Sequence, residues 1–284
     1  MVIIIICIIF SLNSQIYSQK DSSRQIGIHS PANIKKFANY LFCTDDYLRA
    51  AIEYEKYLNI NYNDTVEFKT GLSYLFIGNY KKSLSWFGQI SGNSRYFKDA
   101  QDEFFRSLFE SGDYHIFRNE YSNKLNSSEE TKKLFYFSYF FTDDKLPPQK
   151  DFLSPFSSKE EGKVKKFYME KITPPYKSET TAVILSILIP GAGKIYSDQI
   201  GDGIFAAIAT GLCGYLAYDN FRAKHNFRGW IFSGLTAFFY AGNIYGSAAS
   251  AQIYNAGISF DFSNDVKLYL EQQNYFTPDY DFCR

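Results

Sequence analysis

The sequence lacks an excess of charge of either sign. It has 30 basic and 30 acidic residues among 284. Proteins that bind nucleic acid carry a basic excess on at least one face, because the phosphate backbone is densely charged. The balance of charges therefore argues against a nucleic-acid partner.

Cysteine and histidine are also scarce. The four cysteines, Cys7, Cys43, Cys213 and Cys283, lie far apart, and no Cys-x-x-Cys or Cys/His spacing occurs. This predicts isolated thiols rather than a zinc site or a disulfide framework. The three histidines lie in separate segments without a second ligand at metal-binding spacing. We therefore expect no metal, no cofactor and no catalytic site, so the protein is not predicted to be an enzyme.

The apolar stretch at the start of the chain has only nine residues. Residues 2–10 are apolar and are followed by small polar residues up to Ser18. Nine residues suit the core of a signal peptide but cannot span a bilayer as a helix. We expect a signal peptide at residues 1–18 that is cleaved near its end. No Lys or Arg precedes the run, so retention of this segment as an anchor stays open.

Three short turn segments recur along the first half of the chain. Tyr47, Tyr80 and Tyr114 mark them, 33 and 34 residues apart, and Gly78 and Gly112 open the second and third. A helix-length amphipathic stretch precedes and follows each turn, with apolar residues three, four and seven positions apart. A repeat of this length predicts an array of helical hairpins over residues 31–145.

This region resembles the tetratricopeptide family. Gly71 and Tyr74 match the Gly-x-x-Tyr step of that repeat, whereas Phe104 and Phe105 make the third unit irregular. The resemblance implies stacked helix–turn–helix units with a concave groove that binds a protein partner, which the sequence does not identify. A generic array of helical hairpins with coincidental spacing is the alternative.

The composition changes after residue 145. Residues 146–177 contain paired prolines and many charges, and we predict a linker with one helix at residues 160–172. Charged residues then become rare. Of three apolar runs, residues 180–189 are too few to cross a bilayer, whereas residues 203–218 and 229–247 approach the length that a hydrocarbon core of ~30 Å requires.

A second resemblance covers roughly residues 178–255. The pattern Pro-Gly-x-Gly-x-x-Tyr resembles the opening of bacterial two-helix transmembrane modules, a largely uncharacterised family. A later Gly-Asn-x-Tyr-Gly segment is similar to the close of that module. Asp198 departs from the family, which usually has a glycine there. The resemblance implies turn and packing roles for Pro190, Gly191, Gly193, Tyr196, Gly203, Gly242, Asn243, Tyr245 and Gly246.

Small residues recur every four positions in both long runs. In lipid, such stripes allow helices to approach closely, so they predict a membrane-embedded hairpin and allow a homo-oligomer. A polar side chain in such a run needs a partner, and we expect Asn243 to make an interhelical hydrogen bond. A buried hairpin of a soluble protein is the alternative. The stripes are Ala206, Thr210 and Gly214, then Gly229, Ser233, Ala237 and Ala241.

The basic loop at residues 222–228 predicts the orientation. The positive-inside rule assigns it to the cytoplasm, which leaves the repeats in the periplasm. If residues 180–189 also crossed, the repeats would face the cytoplasm. The tail, residues 256–284, begins with alternating Ile258 and Phe260. This alternation predicts a short strand or an extended docking segment.

These features favour an all-α fold, with a tetratricopeptide-like helical hairpin array and a C-terminal membrane-embedded helical hairpin. The function they favour is a membrane-anchored interaction or assembly factor of the bacterial cell envelope. Its repeats would bind an unidentified protein partner, and its hairpin would lie in the lipid bilayer of the inner membrane. A small oligomeric channel or transporter component is the alternative, although few polar residues are available for a pathway.

Overall fold

A computed structural model describes residue 27 and residues 30–123, 128–273, 275–276 and 280–283. These residues form helices and no strand, which confirms the all-α prediction. The chain divides into two compact units. The first contains the residues up to Pro147 together with those from Tyr275 onward, and the second is Pro148–Asn274. The predicted signal peptide lies outside the described residues.

The first unit is a succession of helices in which each packs on the next. Turns of three residues separate α1 from α2, α3 from α4 and α5 from α6, so the described part of the unit contains helical hairpins. Its helices are α1 (Pro31–Cys43), α2 (Tyr47–Leu58), α3 (Asp64–Phe76), α4 (Tyr80–Gln89), α5 (Phe97–Glu110), α6 (Tyr114–Asn123) and α7 (Glu129–Phe137), followed by a 3-10 turn, Ser138–Phe141.

The turns within the first two hairpins share one geometry. Asp45 and Gly78 have φ angles of 59° and 72°, in the left-handed region. The next residue, Asp46 or Asn79, donates its backbone N–H to the carbonyl five positions earlier, at 2.9 Å in both turns. The side chain of that residue then caps the following helix. The chain reverses in so few residues because one residue closes the preceding helix with its backbone N–H and caps the next helix with its side chain.

Large aromatic side chains fill the interior of the first unit. Phe68, Phe87 and Phe117 are fully buried. A Cβ atom at Gly71 would lie 2.6 Å from the Phe87 ring, so the absence of a side chain on α3 lets a ring from α4 pack against its backbone. Phe105, which belongs to the irregular third repeat, is buried against Phe117 with ring centroids 5.6 Å apart.

The second unit centres on two long helices that pack along each other. Of the described helices, α12 is the one that is both long and apolar enough to cross a membrane. Shorter helices α10 and α11 pack on α13. The helices are α8 (Gln149–Leu153), α9 (Ser158–Ile172), α10 (Glu179–Leu188), α11 (Ala192–Tyr196), α12 (Ile200–Arg222) and α13 (Asn226–Gln272).

The segment predicted as a linker, residues 146–177, is folded differently from the expectation. It contains two helices, α8 and α9, rather than one. Phe152 of α8 is fully buried and packs against Tyr168 of α9, with ring centroids 5.1 Å apart. Aromatic residues therefore give even the five-residue helix α8 an apolar face to bury, which the proline pairs had obscured.

The start of the tail, residues 256–284, is also corrected. It is neither a strand nor extended, because α13 continues without a break to Gln272. Val266, Tyr269 and Leu270 are buried. Their spacing of three and four is that of one helix face, and this longer pattern prevails over the brief alternation at residues 258–262. The predicted boundary at residue 255 therefore lies within one continuous helix.

Candidate functional site

The chain end lies on the first unit and crosses three of its helices. Two of its aromatic residues, Tyr280 and Phe282, pack on a buried cluster that α1 and α3 supply in large part. We call residues 280–283 the tail segment. The surface beneath them, the tail-binding face, consists of Phe42, Phe68, Lys69, Tyr96 and Glu103.

Phe282 occupies an aromatic site on this face. Its ring centroid lies 6.1 Å from that of Phe42, 6.2 Å from that of Phe68 and 6.0 Å from that of Tyr96. The Lys69 Nζ is 4.8 Å from the centroid of the Phe282 ring. Three rings and one cation thus surround this side chain, an arrangement that stabilises it through both apolar burial and cation–π attraction.

Tyr280 adds a polar contact to an apolar one. Its ring meets Phe68 edge to face at 5.0 Å. Its hydroxyl donates to Glu103 Oε1 at 2.9 Å, and Arg106 donates to the same carboxyl at 2.8 and 2.9 Å. Only 1% of Glu103 is exposed, and burial raises the pKa of its carboxyl to about 7. A buried acceptor therefore recognises the tyrosine hydroxyl.

Lys69 is the second buried charge of the face. Its Nζ donates to Asn39 Oδ1 at 2.9 Å and lies 5.2 Å from the centroid of the Phe42 ring. Burial, aided by the nearby charge of Lys35, lowers the pKa of Lys69 to about 8. Buried charges normally need polar partners, and Lys69 has an amide oxygen and two aromatic rings.

A disulfide bond joins the tail segment to the face. It links Cys43, the last residue of α1, to Cys283 across 240 positions of sequence. The prediction of isolated thiols is therefore wrong for these two residues, whereas Cys213 is free. Local Cys spacing could not reveal the bond, because only the return of the chain end to the first unit brings the two thiols together.

The residues predicted at the repeat turns pack beside the hairpins. Tyr47 lies 4.6 Å from Phe76 between ring centroids, and Tyr114 stacks on Phe141 at 5.1 Å. Tyr80 donates its hydroxyl to a carboxylate of α5 at 3.4 Å. Gly112 has the same left-handed conformation as Gly78, with a φ of 80°. These residues shape and join the hairpins.

In the second unit, the loop before α11 and the first turn of α11 are held by side chains of other elements. The backbone N–H of Gly191 donates to Asn243 Oδ1 at 2.9 Å, and that of Gly193 donates to Ser186 Oγ at 3.0 Å. Gly191 has a φ of 90°. A Cβ atom added at Gly191 would lie 2.0 Å from the carbonyl oxygen of Gly203. A Cβ atom added at Gly193 would lie 1.9 Å from a carbonyl oxygen of α10.

These polar groups form a connected network. Ser186 and Ser247 place their hydroxyl oxygens 2.5 Å apart, and Ser247 also donates to the Asn243 carbonyl at 2.8 Å. Asn243 Nδ2 donates to the Ser186 carbonyl at 3.4 Å. We call Ser186, Gly191, Gly193, Asn243 and Ser247 the polar centre. Asn243 therefore bonds α10 and the following loop, and the two serines were not singled out by sequence.

The comparisons with known proteins are negative. The chain matches no known family, no curated protein and no solved structure. The two resemblances drawn from its motifs therefore stay expectations, and a functional assignment has to rest on the contacts of its own residues.

Three further positions noted in the sequence lie around the turns that flank α11. Pro190 follows Ile189, whose φ of −137° ends α10, as a residue before proline favours. Tyr196 accepts a hydrogen bond from the Ser178 N–H at 3.2 Å. Asp198 replaces the expected glycine and still adopts a φ of 61°, because aspartate tolerates the left-handed region better than most residues.

The closing segment is only partly inside the unit. Asn243 is buried and Gly246 lies against the Lys194 side chain, where a Cβ atom would come within 3.0 Å of it. Tyr245 is 80% exposed, and Gly242 is exposed with no neighbour within 4 Å of a built Cβ atom. Those two residues therefore face outward rather than packing at the turn.

The two small-residue stripes also differ. Ala206 and Thr210 of α12 are buried inside the unit, and Gly214 faces Thr236 of α13. Ala237 and Ala241 of α13 are exposed. The first stripe packs within the chain, and part of the second is open to another surface.

Sequence reasoning also missed a clamp at the entry to this unit. Asn255 accepts from the Lys177 N–H at 2.8 Å and donates to the Lys177 carbonyl at 2.9 Å. The available signal was its position at the end of residues 178–255, the range that carries the second resemblance. No group of three His, Cys, Asp or Glu side chains suited to a metal ion lies within the ranges that the structure describes.

Proposed function

We propose that this protein is a membrane-anchored protein-interaction or assembly factor of the bacterial cell envelope, with tetratricopeptide-like repeats that bind a protein partner. The observation that carries the proposal is the tail-binding face, where α1, α3 and α5 already hold a non-helical peptide segment through Tyr280 and Phe282. A surface that accepts one such segment has the chemistry to accept another.

The regular turns support the repeat assignment. The left-handed residues Asp45, Gly78 and Gly112 recur 33 and 34 positions apart and separate paired helices. The tail segment lies on the first helices of successive hairpins. In stacked helical repeats, these equivalent helices form one continuous binding surface.

The surface of α12 supports the membrane anchor. Its 23 residues extend about 35 Å at 1.5 Å per residue, enough for a hydrocarbon core of about 30 Å. Phe205, Ile208 and Leu212 on this helix are each more than half exposed. In water such a surface would be an association site, and lipid is the partner that an apolar helix of this length fits. The first part of α13 completes the proposed hairpin.

Two observations support a periplasmic position for the repeats. Disulfide bonds persist in oxidising compartments and are rare in the cytosol, and Cys43–Cys283 belongs to the repeat unit. Helix α10 has ten residues, about 15 Å, and is too short to cross the bilayer alone. With residues 222–228 in the cytoplasm, both ends of the proposed hairpin face the periplasm.

The polar centre favours an anchor over a channel. Asn243, Ser186 and Ser247 bond one another and the turn around Gly191. A conducting path requires polar groups that face a water-filled space. Here the polar groups are buried and serve the packing of α10 and α13.

Membrane association can be tested on the full chain by carbonate extraction of membranes. Ile208→Arg with Leu212→Arg should release the protein from the membrane fraction or prevent its accumulation, because a charge in hydrocarbon costs several kcal/mol. Leu48→Arg with Ile52→Arg, at exposed positions of the first unit, is the matched control and should leave fractionation unchanged. Extraction of the unaltered protein by carbonate would contradict the anchor.

Partner binding is tested separately, by cross-linking in intact cells followed by purification from solubilised membranes. Deletion of residues 31–145 should abolish retention of the partner while the remaining chain stays in the membrane. Retention of the same protein after this deletion would contradict the role of the repeats.

A further inference from the structure

We propose that the tail segment is an internal ligand that blocks the partner site, that the Cys43–Cys283 disulfide locks it there, and that reduction lets a partner segment with the same Tyr-x-Phe chemistry replace it. This inference rests on the proposed function and names the chemistry of the partner. The lock consists of Cys43 and Cys283, and the ligand groups are Tyr280 and Phe282.

The tail segment has the properties of a ligand rather than of a core element. It is not helical, and it meets the tail-binding face and α1 through side chains: two aromatic rings, one hydroxyl and one disulfide. The rings of Tyr280 and Phe282 stack on each other, with centroids 5.8 Å apart, so they form one aromatic plug. A partner needs only this short pattern to reproduce the contacts.

The face beneath the plug is selective. Glu103 is buried and accepts the Tyr280 hydroxyl, while Lys69 lies against the Phe282 ring. A phenylalanine in place of the tyrosine would leave one buried acceptor with fewer donors. An aliphatic residue in place of the phenylalanine would remove the nearer of the two aromatic rings that the Lys69 ammonium contacts. We therefore infer that the partner segment carries tyrosine first and phenylalanine two positions later.

The disulfide is accessible. Cys43 and Cys283 are both exposed. A dithiol, of a protein or a small molecule, can therefore attack one sulfur as its thiolate, break the S–S bond and form a mixed disulfide. Its second thiol then closes the dithiol into a disulfide. Two electrons and two protons pass to Cys43 and Cys283, which end as thiols.

Reduction changes the competition rather than the contacts. While the bond is intact, the tail segment cannot leave the face, so a partner is excluded at any reachable concentration. After reduction, the segment remains tethered and competes only through its effective concentration, which a multivalent or abundant partner can overcome. The partner site is thus closed in the oxidised protein, whereas in the reduced protein its occupancy depends on the concentration of the partner.

The test uses the full-length protein in detergent, with Cys213→Ser to remove the remaining free thiol. The probe is a labelled peptide of residues 275–283 that carries Cys283→Ser, and its binding is followed by fluorescence anisotropy. A vacated variant of the protein carries Tyr280→Ala, Phe282→Ala and Cys283→Ser. Thiol labelling of Cys43 and Cys283 verifies the redox state of the protein that retains both cysteines.

We expect the vacated variant to bind the peptide at least about a hundredfold more tightly than the oxidised protein, with the reduced protein between them. A peptide with Tyr280→Phe should bind about tenfold more weakly, because one hydrogen bond to a buried carboxyl is lost. A peptide with Tyr280→Ala and Phe282→Ala is the matched control and should not bind.

Equal peptide binding by the oxidised and vacated proteins would overturn the internal block. The folding of the vacated variant is checked by its Trp86 fluorescence, measured in a Trp230→Phe background. If this variant is folded and does not bind the peptide, the proposal that the face recognises a Tyr-x-Phe segment is overturned. If that variant does not fold, the oxidised and reduced forms of the parent protein are compared. Equal peptide binding by the two forms, or no binding by either, overturns the proposal that the disulfide controls access to the face. Each result leaves membrane extraction and partner capture unaffected, so failure here is distinct from failure of the proposed function.

Discussion

The first unit and helices α10–α13 of the second differ in where they place their large rings. The first fills its interior with rings such as Phe68, Phe87 and Phe117. The second buries Asn243 and Ser247 and exposes Phe205 and its neighbours on α12. The difference follows from the surroundings proposed for each: water drives large apolar groups inward, whereas lipid solvates them and leaves close backbone contact and hydrogen bonds to hold helices together.

The closest approach that a glycine allows also differs between the two units. Gly71 in the first makes room for one aromatic ring, Phe87. Gly191 and Gly193 in the second allow backbone to approach backbone, at the carbonyls of Gly203 and of α10. A ring can shift slightly to accept a methyl group, but two backbones held by hydrogen bonds cannot. The second unit should therefore be the less tolerant of added volume.

The largest expected effect tests this intolerance. Gly191→Ala adds a Cβ atom 2.0 Å from a carbonyl oxygen and strains a φ of 90°. We expect a loss of about 5 kcal/mol or more, comparable to the stability of a whole domain. Thermal unfolding in detergent, followed by Trp230 fluorescence with Trp86→Phe, should show no folded second unit. Gly201→Ala, where nothing lies within 4 Å, is the control and should unfold like the parent.

The second prediction applies one substitution to both units. Phe68→Ala empties a fully buried site in the first unit and should cost about 3–5 kcal/mol. Phe205→Ala removes a ring that is 68% exposed and should change unfolding in detergent by less than about 0.5 kcal/mol. Unfolding is followed by the tryptophan of the affected unit. Similar losses of stability at the two positions would contradict the idea that aromatic rings stabilise the interior of the first unit but only cover the surface of α12.

A third prediction concerns the buried charge of the first unit. Burial raises the pKa of Glu103 from 4.5 to about 7, so the folded protein keeps a proton that the unfolded chain releases. Stability should therefore fall as the pH rises from 4.5 to 7, by up to about 3 kcal/mol. Asp99 and Glu67 have pKa values that burial also raises, and they act in the same direction.

The control for this pH dependence is Glu103→Gln, which keeps an acceptor for Tyr280 but does not titrate. Its midpoint of thermal unfolding, read from Trp86 fluorescence in a Trp230→Phe background, should change less between pH 4.5 and 7 than that of the parent. An unchanged pH profile would mean that Glu103 titrates normally and that the tail-binding face is wetter than its burial indicates.

The helical architecture was predictable because its signals are local. The period of Tyr47, Tyr80 and Tyr114 reports turns whose hydrogen bonds lie within six residues of one another. Pairing of Cys43 with Cys283 had no such signal, because it depends on the path of the 239 residues between them. The same holds for the tail-binding face, whose residues become a site only after the helices stack.

The polar centre was half predictable. Gly191 and Gly193 belong to a motif, and Asn243 is conspicuous as an amide in an apolar run. Ser186 and Ser247 are not, because a single hydroxyl in such a run usually bonds its own helix and gives no pattern. Ser247 does make that bond, to the Asn243 carbonyl, and also meets Ser186.

The smallest loss of stability that we expect from removing a buried group distinguishes hydrogen bonding from close packing in the second unit. Asn243→Ala leaves the buried Gly191 N–H without its acceptor and removes a donor from the Ser186 carbonyl. An unsatisfied buried group costs about 1–3 kcal/mol, less than the backbone clash at Gly191. Trp230 fluorescence during thermal unfolding in detergent, with Trp86→Phe, should show this loss, whereas Gly242→Ala, one position away and exposed, should not. If Asn243→Ala were neutral, water would have to reach the loop, and the side-chain amide would contribute nothing to the stability of the turn beside the glycine contacts.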